Sequence, residues 1–334
     1  MSTPVVDQAV ITQVVRHPEI FLEFAQLIDE EPERPDWIVE GLVARGCVSE
    51  LVAKVKCGKT HFALDMVEAV IAGRLFLGSK TTSVPVIYLT EEGATSFRSC
   101  TDRVGLRREA RLTIVPRSRT RGLKWAEIGA EVTAMAGQVG AWLVVVDTLG
   151  EWASLIRDEE NDAGAALAAT RPLREMAEAG LAVLVLRHAR KGGGEVADAA
   201  RGSSAFDGAV DVILHLERMQ AKGHNNRRKL SGVGRLDGIA AQLVVELEDN
   251  HYLAKGSESD VEYRDARAKV LDVMPDSREA ALSEKAIIEQ TQASRRTVQR
   301  VLKELGNTGV VQREMGAGEA DKRGYGYWFI PPTP

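Results

Sequence analysis

Hydrophobic and polar positions follow two different periods along this chain. Continuous apolar runs of strand length occur at 48–52, 84–90 and 140–147, and such runs are typical of strands buried on both faces of a parallel sheet. After the first run, residues 61–70 space their apolar side chains as a helix does. Strands that alternate with helices predict an α/β fold, in which helices flank a mostly parallel central sheet.

The pattern changes toward the C terminus. The segment 255–261 is polar and predicts a linker. An amphipathic helix is predicted over 263–274, because Pro275 ends the helical spacing. Ser283 and Ser294 each stand at a predicted N-cap ahead of helical spacing, so two more helices should follow.

Two short strands are predicted near the end of the chain. Residues 310–315 and 325–330 are rich in apolar and aromatic side chains, and a glycine-rich turn separates them. Capped helices followed by a two-stranded ribbon resemble a winged helix, which combines helix-turn-helix geometry with a β-ribbon wing. The sequence thus predicts a small α+β unit after the α/β core.

The first apolar run leads into a candidate phosphate-binding loop. Residues 53–60 read Ala-Lys-Val-Lys-Cys-Gly-Lys-Thr and lie between the predicted strand and the predicted helix. In a loop of the G-x-x-x-x-G-K-[ST] type, backbone amides hold a polyphosphate, the lysine reaches its β and γ phosphates, and the hydroxyl ligates Mg²⁺. The nucleotide-binding positions are therefore Ala53, Lys54, Val55, Lys56, Cys57, Gly58, Lys59, Thr60 and His61.

One position departs from this motif, because Ala53 replaces the usual first glycine. Alanine resists a positive φ, so we expect an ordinary backbone conformation at Ala53. The alternative interpretation of the segment is a lysine-rich turn that contains Gly-Lys-Thr by chance. The flanking strand and helix favour the phosphate loop, which makes ATP with Mg²⁺ the predicted ligand.

Two other apolar runs end in carboxylates. Asp147 ends the run 140–147, and the carboxyl ends of parallel strands are where open α/β sheets bind ligands. We expect Asp147 to hold Mg²⁺ through water while Thr60 ligates it directly; the alternative is a turn aspartate. Glu91 and Glu92 follow the second run, where either residue could orient the water that attacks the γ-phosphate. The alternative role for this pair is a favourable interaction with the dipole of the next helix.

These motifs stand in the order found in RecA-like ATPases, and they most resemble those of the plasmid-type RepA hexameric replicative helicases. The resemblance extends over about 37–247. Beyond the phosphate loop and Asp147, it rests on 37–46 as the lead-in, Tyr88-Leu-Thr-Glu-Glu-Gly93 with Arg103 after it, His188-Ala-Arg-Lys191, and Arg201-Gly-Ser-Ser204 followed by Asp211. In this register Glu92 is the preferred base, and Arg187 stands where many relatives have another histidine.

The resemblance implies that the subunits form a ring, with a hexamer as the expected assembly and ATP at the subunit boundaries. His188 would then sense the γ-phosphate through a change in its hydrogen bond; the alternative is a histidine that is satisfied at a strand end. The glycine-rich stretch 189–202 would face the central channel, so Arg190 and Lys191 are candidate contacts to single-stranded DNA. A solvated loop is the alternative for these two residues.

A ring also implies an arginine that reaches into the site of the neighbouring subunit. In multimeric ATPases such an arginine stabilises the charge of the transition state. The candidates are Arg201, Arg228 and Arg235. Residues 228–235 resemble the late hairpin of the family, which favours Arg235.

The predicted winged helix offers a second surface for DNA. Its third helix begins with the candidate contacts Arg295, Arg296, Thr297 and Arg300. At this position such folds contact base edges and phosphates, so duplex DNA is an expected partner. The alternative is a protein–protein module, since acidic residues are about as numerous as basic ones over 262–330.

Composition and length change this picture little. A chain of 334 residues exceeds the size at which a single core usually stops growing. Net charge is −5 at pH 7, which argues against a surface coated with basic residues and leaves DNA binding to local clusters. The cysteines Cys47, Cys57 and Cys100 lack metal-ligand spacing, so we expect neither a disulfide framework nor a zinc site.

The predicted organisation has four parts: a helical arm at 1–34, a RecA-like ATPase domain at 35–254, a linker at 255–261 and a winged-helix domain at 262–334. No apolar run approaches the roughly 18 residues of a membrane span, and the N terminus lacks the pattern of a signal peptide. We therefore expect a cytoplasmic protein without a membrane partner.

The favoured function is ATP hydrolysis coupled to work on DNA, by a ring-shaped helicase or replication ATPase of a plasmid, phage or mobile element. Its catalytic residues would be Lys59, Glu92, Asp147, His188, Arg201 and Arg235. The alternative is an ATP-regulated DNA-binding regulator or initiator, in which the winged helix provides sequence preference. A third option is a RecA-like strand-exchange or annealing protein, which would form open filaments on single strands.

Overall fold

The structure is a computed structural model of the chain, and it describes residues 23–26, 34–155, 163–189, 206–219, 225–318, 320 and 323–330. The chain divides into two compact units, Met1–Asp36 and Trp37–Pro334. Within the first unit, residues 24–26 are helical, and most of the predicted arm at 1–34 lies outside the described residues. Every element named below belongs to the second unit.

The strands of the described chain form three sheets. An antiparallel ribbon contains β1 (Trp37–Val39) and β2 (Val43–Ala44). The central sheet contains β3 (Val48–Ala53), β4 (Val86–Thr90), β5 (Leu112–Pro116), β6 (Leu143–Asp147), β7 (Ala182–His188), β8 (Val212–Arg218), β9 (Arg227–Gly234), β10 (Gln242–Glu248) and β11 (His251–Gly256). The C-terminal sheet contains β12 (Leu282–Ser283), β13 (Val311–Met315) and β14 (Tyr325–Phe329).

The helices of the described chain are α1 (Lys59–Ala72), α2 (Ala94–Arg103), α3 (Trp125–Val139), α4 (Leu149–Trp152), α5 (Ala163–Glu178), α6 (Glu258–Val273), α7 (Glu284–Thr291) and α8 (Arg295–Asn307). Short 3₁₀ turns cover Arg117–Arg119 and Asp207–Ala209. Among these described helices, none combines the length and the apolar composition that crossing a membrane requires.

The central sheet is mostly parallel. Its strand order is β11-β10-β9-β8-β3-β7-β6-β4-β5, and the strands from β8 to β5 run parallel to their neighbours. The strands β9, β10 and β11 extend the sheet as antiparallel neighbours. β3, which precedes the phosphate loop, lies between β7 and β8. This mostly parallel sheet, flanked by helices, confirms the predicted α/β fold class.

Helices cover both faces of the sheet. On one face, α1 and α2 contribute Phe62, Met66 and Phe97 to the core. On the other face, α3 and α5 contribute Trp125 and Leu173. Every residue of β3, β4 and β6 is buried between these layers. That burial explains why β4 and β6 are largely continuous apolar runs rather than alternating patterns, whereas β3 also buries the polar Ser49 and Glu50.

Two strands begin later than their apolar runs predict. Gly140 adopts a φ of 67° and ends α3, so β6 is shorter than the predicted strand 140–147. The run 84–90 contains Pro85, and β4 begins after it at Val86. Proline has no amide to donate to a strand ladder, which accounts for the later start.

The segment predicted as a linker, 255–261, has regular structure. β11 ends at Gly256, and α6 begins at Glu258. Ser257 Oγ accepts a hydrogen bond from the Asp260 amide at 3.2 Å, and the Asp260 carboxylate accepts one from the Ser257 amide at 3.3 Å. The polar residues that indicated a linker therefore form a capping box, and the helix starts earlier than predicted.

The next two helices begin where the caps predict. Ser283 Oγ accepts from the Ala286 amide at 3.2 Å, and Ser294 Oγ accepts from the Thr297 amide at 3.2 Å. The short strand β12 was not predicted, and it pairs with β14. The hydrophobic core of this region includes Val298 and other residues that helical spacing identified, such as Val301, Leu302 and Leu305.

Ion pairs join α6 to the central sheet. Lys229 Nζ of β9 lies 2.9 Å from Glu258 Oε2 at the start of α6, and Arg227 pairs with Asp265, about two turns further along the helix. The helix α6 thus contacts the central sheet within one compact unit. The predicted division into an ATPase domain and a C-terminal domain stays a prediction.

Candidate functional site

Adjacent strands bring the predicted site residues to one edge of the sheet. In the parallel register Ala53 of β3 pairs with His188 of β7, and Thr90 of β4 pairs with Asp147 of β6. β6 and β7 are themselves neighbours, with Asp147 opposite Leu186. The phosphate loop, the glutamate pair, Asp147 and His188 therefore share the carboxyl edge, where open α/β sheets bind ligands.

The phosphate loop begins at a strand residue, and a glycine with positive φ stands just before α1. Ala53 is buried and extended, as expected for alanine at that position. Gly58 has a φ of 103°, and a Cβ there would lie 2.8 Å from Tyr252 Oη. In the described chain no side chain caps α1, so its first amides keep their hydrogen-bonding capacity. The loop therefore fits a polyphosphate held by backbone amides.

Lys59 is buried at the centre of the site. Its Nζ lies 3.3 Å from Ala53 O and 3.0 Å from His188 Nδ1. An ammonium group only donates, so Nδ1 accepts and the imidazole proton lies on Nε2. Burial lowers the pKa of Lys59, and the Asp147 carboxylate opposes that change. A change at Lys59 would therefore reach His188 through a direct contact.

Asp147 is buried and accepts two hydroxyl hydrogen bonds. Its Oδ2 lies 2.7 Å from Thr60 Oγ1 and 2.8 Å from Tyr88 Oη. Burial raises the pKa of Asp147 to about 6, although both hydrogen bonds oppose the rise. A carboxylate beside a threonine hydroxyl offers the oxygen ligands that Mg²⁺ prefers. Thr60 and Asp147 therefore fit the metal that the sequence predicts.

The two glutamates have different partners. Glu91 Oε2 accepts from Thr148 Oγ1 at 3.0 Å and from the Thr148 amide at 3.3 Å, and burial raises the pKa of Glu91. Glu92 Oε2 accepts from Ser96 Oγ at 2.6 Å. Glu92 also lines a cavity of about 530 Å³ beside α2 and β5. Glu91 is thus bound to the residue after Asp147, whereas Glu92 faces an open cavity; its role as base stays a prediction.

Three residues around Asp147 have contacts that the sequence did not predict. Tyr88 donates its hydroxyl to the carboxylate, and burial together with the Asp147 charge raises the pKa of Tyr88 well above its usual value. Trp152 Nε1 donates to Asp147 O at 3.2 Å, and Thr148 binds Glu91. A tyrosine in an otherwise aliphatic strand was a usable signal, because a buried hydroxyl needs a partner.

Arg228, one candidate for the arginine that acts on a neighbouring subunit, is buried in its own chain. Its Nε donates to Cys57 O of the phosphate loop at 2.9 Å. An enclosed guanidinium cannot reach another subunit, so this candidate assignment is wrong. Arg235 follows the end of β9 that pairs with the start of β8, away from its own phosphate loop. Its exposed side chain lies 2.8 Å from Gly208 O and 3.6 Å from Asp211 Oδ1.

The predicted DNA contacts fall into two groups. Arg190 and Lys191, together with the candidate Arg201, lie outside the described residues. At the start of α8, the guanidinium of Arg300 lies 4.2 Å from the centre of the Tyr263 ring. Of the other candidates in α8, Arg295 forms an ion pair with Glu284 at 3.1 Å, and Arg296 is exposed. The hydroxyl of Thr297 lies 2.8 Å from Ser294 Oγ.

A known protein family matches the part of the chain that contains the site. The family model described as "AAA domain" matches residues 14–194, which is more than half of the chain. None of the curated proteins matches the sequence. Among solved structures, the chain is similar to the crystal structure of a KaiC-like protein from the hyperthermophilic archaeon Pyrococcus horikoshii OT3, with 15% sequence identity and a TM-score of 0.48. That similarity covers 66% of this chain and 95% of that chain.

Proposed function

The chain belongs to the AAA domain family, and we propose that this P-loop ATPase couples ATP hydrolysis to work on DNA, as a ring-shaped helicase or replication ATPase. The observation that carries the proposal is the convergence of Lys59, Asp147 and His188 with Thr60 at one sheet edge. This set supports binding and hydrolysis of a nucleoside triphosphate. The motif order over 37–247, which resembles the RepA-type helicases, supports DNA as the partner.

The proposed mechanism begins with the loop and α1. Backbone amides from Gly58 into the first turn of α1 bind phosphate oxygens, and Lys59 leaves His188 to bind the β and γ phosphates. Thr60 and Asp147 hold Mg²⁺, which when bound neutralises charge on the phosphate oxygens. These residues fix the γ-phosphate so that its reacting face meets the water beside Glu92.

Glu92 orients the attacking water and accepts its proton in this mechanism. The water oxygen bonds to the γ-phosphorus while the bond to the bridging oxygen breaks, so ATP and water give ADP, phosphate and a proton. Arg235 of the neighbouring subunit stabilises the negative charge that spreads over the phosphate oxygens. His188, released from Lys59, signals nucleotide state to the residues that follow β7 in sequence, of which Arg190 and Lys191 would contact single-stranded DNA.

We further propose that the assembly is a homo-hexameric ring that works in the cytoplasm on plasmid or phage DNA. Arg235 lies at the edge of the sheet opposite its own phosphate loop. An ATP site at a subunit boundary would let it reach the phosphate loop of a neighbouring subunit. In this proposal the unit from α6 to β14 is a winged helix, which binds duplex DNA through α8.

ATP hydrolysis and strand displacement test the proposal together. The ATPase rate is measured alone, with single-stranded DNA and with duplex DNA, beside unwinding of a forked substrate. We expect single strands to stimulate the wild type, Lys59→Ala to lose hydrolysis, and Glu92→Gln to bind ATP without hydrolysing it. Glu91→Gln is the matched control, which should keep part of its activity if Glu92 is the base. Near-normal hydrolysis by Lys59→Ala would sink the site assignment.

The exposed start of α8 favours one second candidate, an ATP-regulated DNA-binding regulator or initiator. Arg296 and Arg300 lie there beside a capped helix N-terminus, a position that can contact DNA phosphates and bases. This function predicts ATP-dependent duplex binding without strand displacement. Arg296→Ala and Arg300→Ala should then weaken duplex binding and flatten its salt dependence by about one phosphate contact each. Arg267→Ala, which loses an ion pair with Glu304, is the control.

A further inference from the structure

Two arginines, from β8 beside β3 and from β9 next to it, bind successive carbonyls of the phosphate loop. Arg228 Nε donates to Cys57 O at 2.9 Å, and a terminal nitrogen of Arg218 donates to Lys56 O at 2.6 Å. The two arginines are themselves opposite each other in the β8–β9 register. The Cys57 thiol adds a third attachment, because its Sγ donates to Leu216 O at 3.2 Å. The loop is therefore fixed to β8 and β9 along its middle.

These contacts set the direction in which the loop amides point. In a trans peptide the carbonyl and the amide of the next residue point in opposite directions. Holding Cys57 O against Arg228 therefore directs the Gly58 amide away from the Arg228 guanidinium. An amide that points away from this cation at the N-terminus of α1 can donate to a phosphate.

The guanidinium of Arg228 is held in place by its hydrogen bonds to backbone carbonyls. It is buried, and its remaining hydrogen bonds in the described chain go from Nη1 to Asn225 O at 2.8 Å and to Arg227 O at 2.9 Å. Hydrogen bonds from an ionised donor are stronger than neutral ones, and a planar guanidinium holds several acceptors at fixed angles. A lysine at this position would keep the charge and lose the fixed geometry.

The loop needs such support because its own sequence does not favour its conformation. Lys56 has a φ of 61°, although it is not a glycine, and L-residues resist the left-handed region. Ala53 stands at the first glycine position of the motif and is part of β3. A loop of this composition would sample other conformations if its carbonyls were released.

We propose that Arg228 is a positioning residue, which holds the phosphate loop in its nucleotide-binding conformation before ATP arrives, with Arg218 as the second anchor. The proposal rests on the proposed ATP hydrolysis. It also assigns a role to β8 and β9, which lie beyond the residues 14–194 that the family model matches.

The test separates loop order from chemistry. In Arg228→Met we expect only a fraction of the molecules to hold the phosphate loop in its ATP-binding conformation. The apparent affinity for ATP then falls in proportion to that fraction. We expect KM for ATP to rise at least about tenfold, while kcat at saturating ATP stays within about twofold, because bound nucleotide restores the loop. Arg228→Lys should lie between this variant and the wild type. Arg227→Met is the matched control: the adjacent arginine binds Glu246 and Asp265, so its loss should leave KM unchanged.

Hydrogen exchange of the amides of residues 54–58 gives a readout that needs no nucleotide. These amides should exchange faster in Arg228→Met than in the wild type or in Arg227→Met, and ADP should restore their protection. Wild-type KM together with wild-type exchange in Arg228→Met would overturn the proposal, as would a loss of kcat at unchanged KM. If Arg228→Met does not fold, the exposed Arg218→Met replaces it, with the same expected direction. A wild type that binds no ATP would refute the proposed function, while the exchange comparison would still report on the loop.

Discussion

At the scale of single residues, electrostatics and chemistry conflict at Asp147. Burial raises the pKa of this carboxyl to about 6, although Thr60 and Tyr88 donate hydrogen bonds to it. A carboxyl with a raised folded-state pKa contributes stability at low pH and loses it as the pH rises through that value. Asp147 must nevertheless be charged to hold Mg²⁺. Its charge at neutral pH therefore destabilises the metal-free protein.

We predict that Asp147→Asn makes the metal-free protein more stable and inactive. A pKa change from 3.8 to about 6 corresponds to up to about 3 kcal/mol of unfolding free energy at about pH 7.5. Urea unfolding in EDTA should show this gain at about pH 7.5 and lose most of it by about pH 4, where Asp147 is protonated in the folded protein and about half protonated in the unfolded chain. The exposed Asp237→Asn should change little at either pH. If Asp147→Asn had a lower unfolding free energy than the wild type at about pH 7.5, the predicted gain in stability would be wrong.

Gly58 is the residue at which backbone conformation and packing both exclude a side chain. We predict that Gly58→Ala weakens ATP binding by about a hundredfold or more, since its φ of 103° is strained for alanine and the new Cβ would meet Tyr252 Oη. Fluorescent nucleotide titration measures the affinity. Gly78→Ala is the control, because Gly78 has a φ of 85° with nothing within 4 Å of its Cβ position. It should cost about 1 kcal/mol of stability without changing nucleotide affinity.

Some site residues were predictable because their signal is local. Lys59 and Thr60 belong to a short motif, and Asp147 ends a strand of its own. The roles of Tyr88 and Arg228 depend on which strands are neighbours, and a single sequence contains no direct record of that order. Arg228 was therefore considered as an arginine for the neighbouring subunit, although it binds the phosphate loop of its own chain.

At the scale of elements, a buried ion pair joins β3, which leads into the phosphate loop, to β7, which ends at His188. Arg187 Nε pairs with Glu50 Oε1, and both side chains are buried. The Arg187 guanidinium also lies 5.0 Å from the centre of the Phe206 ring. Within the described chain Glu50 Oε2 has no hydrogen-bond partner. Such a pair costs desolvation energy to form, and a larger penalty follows if one partner is removed.

We predict that Arg187→Met lowers the unfolding free energy by about 3–5 kcal/mol, because Glu50 would remain as an unpaired buried charge. The double variant Glu50→Leu with Arg187→Met should recover most of that loss, since it leaves no buried charge. Urea unfolding of the four proteins in this cycle gives the coupling energy. Arg171→Met, which breaks an exposed ion pair with Glu175, should cost at most about 0.5 kcal/mol. Additive effects of the two buried substitutions would contradict the coupling.

Elements were predictable where one physical cause dominates the sequence. Burial on both faces makes β4 and β6 largely continuous apolar runs, and hydroxyl caps mark α7 and α8. The polar stretch 255–261 misled the prediction because capping residues and linker residues have the same composition. The strand β12 has two residues, which is too short for a periodic pattern. Its existence depends on pairing with β14.

At the scale of the whole molecule, the phosphate loop depends on chain segments far apart in sequence. β3 supplies the loop, whereas Arg218, Arg228 and Tyr252 contact it from the strands that follow residue 206. The strand order places β8 beside β3, so strands that come late in the sequence stabilise the loop that follows the first strand of the central sheet. Helical and strand periodicity predicted the helix and sheet layers of this fold. The contacts between distant segments, in contrast, depend on the order of the strands in the sheet. In the proposed ring, assembly would add a further level, at which two subunits complete one site.

The proposed shared site gives a prediction about mixtures. Arg235 lies at the opposite end of the sheet from its own phosphate loop, so it can act only in a neighbouring subunit. Glu92→Gln and Arg235→Ala should each be inactive alone. In an equal mixture, some interfaces combine an intact Glu92 with an intact Arg235, and up to about a quarter of the wild-type rate should return.

The control for this experiment mixes Glu92→Gln with Lys59→Ala. Both substitutions affect the same side of the interface, so no mixed interface has an intact site and no activity should return. Subunits are mixed before assembly, and the ATPase rate is compared with size-exclusion profiles to verify that rings of equal size form. Full activity of Arg235→Ala alone, or no recovery in mixed rings of normal size, would remove Arg235 from the site. Recovery limited to the first mixture would establish that ATP is hydrolysed between subunits, which a chain acting as a monomer cannot reproduce.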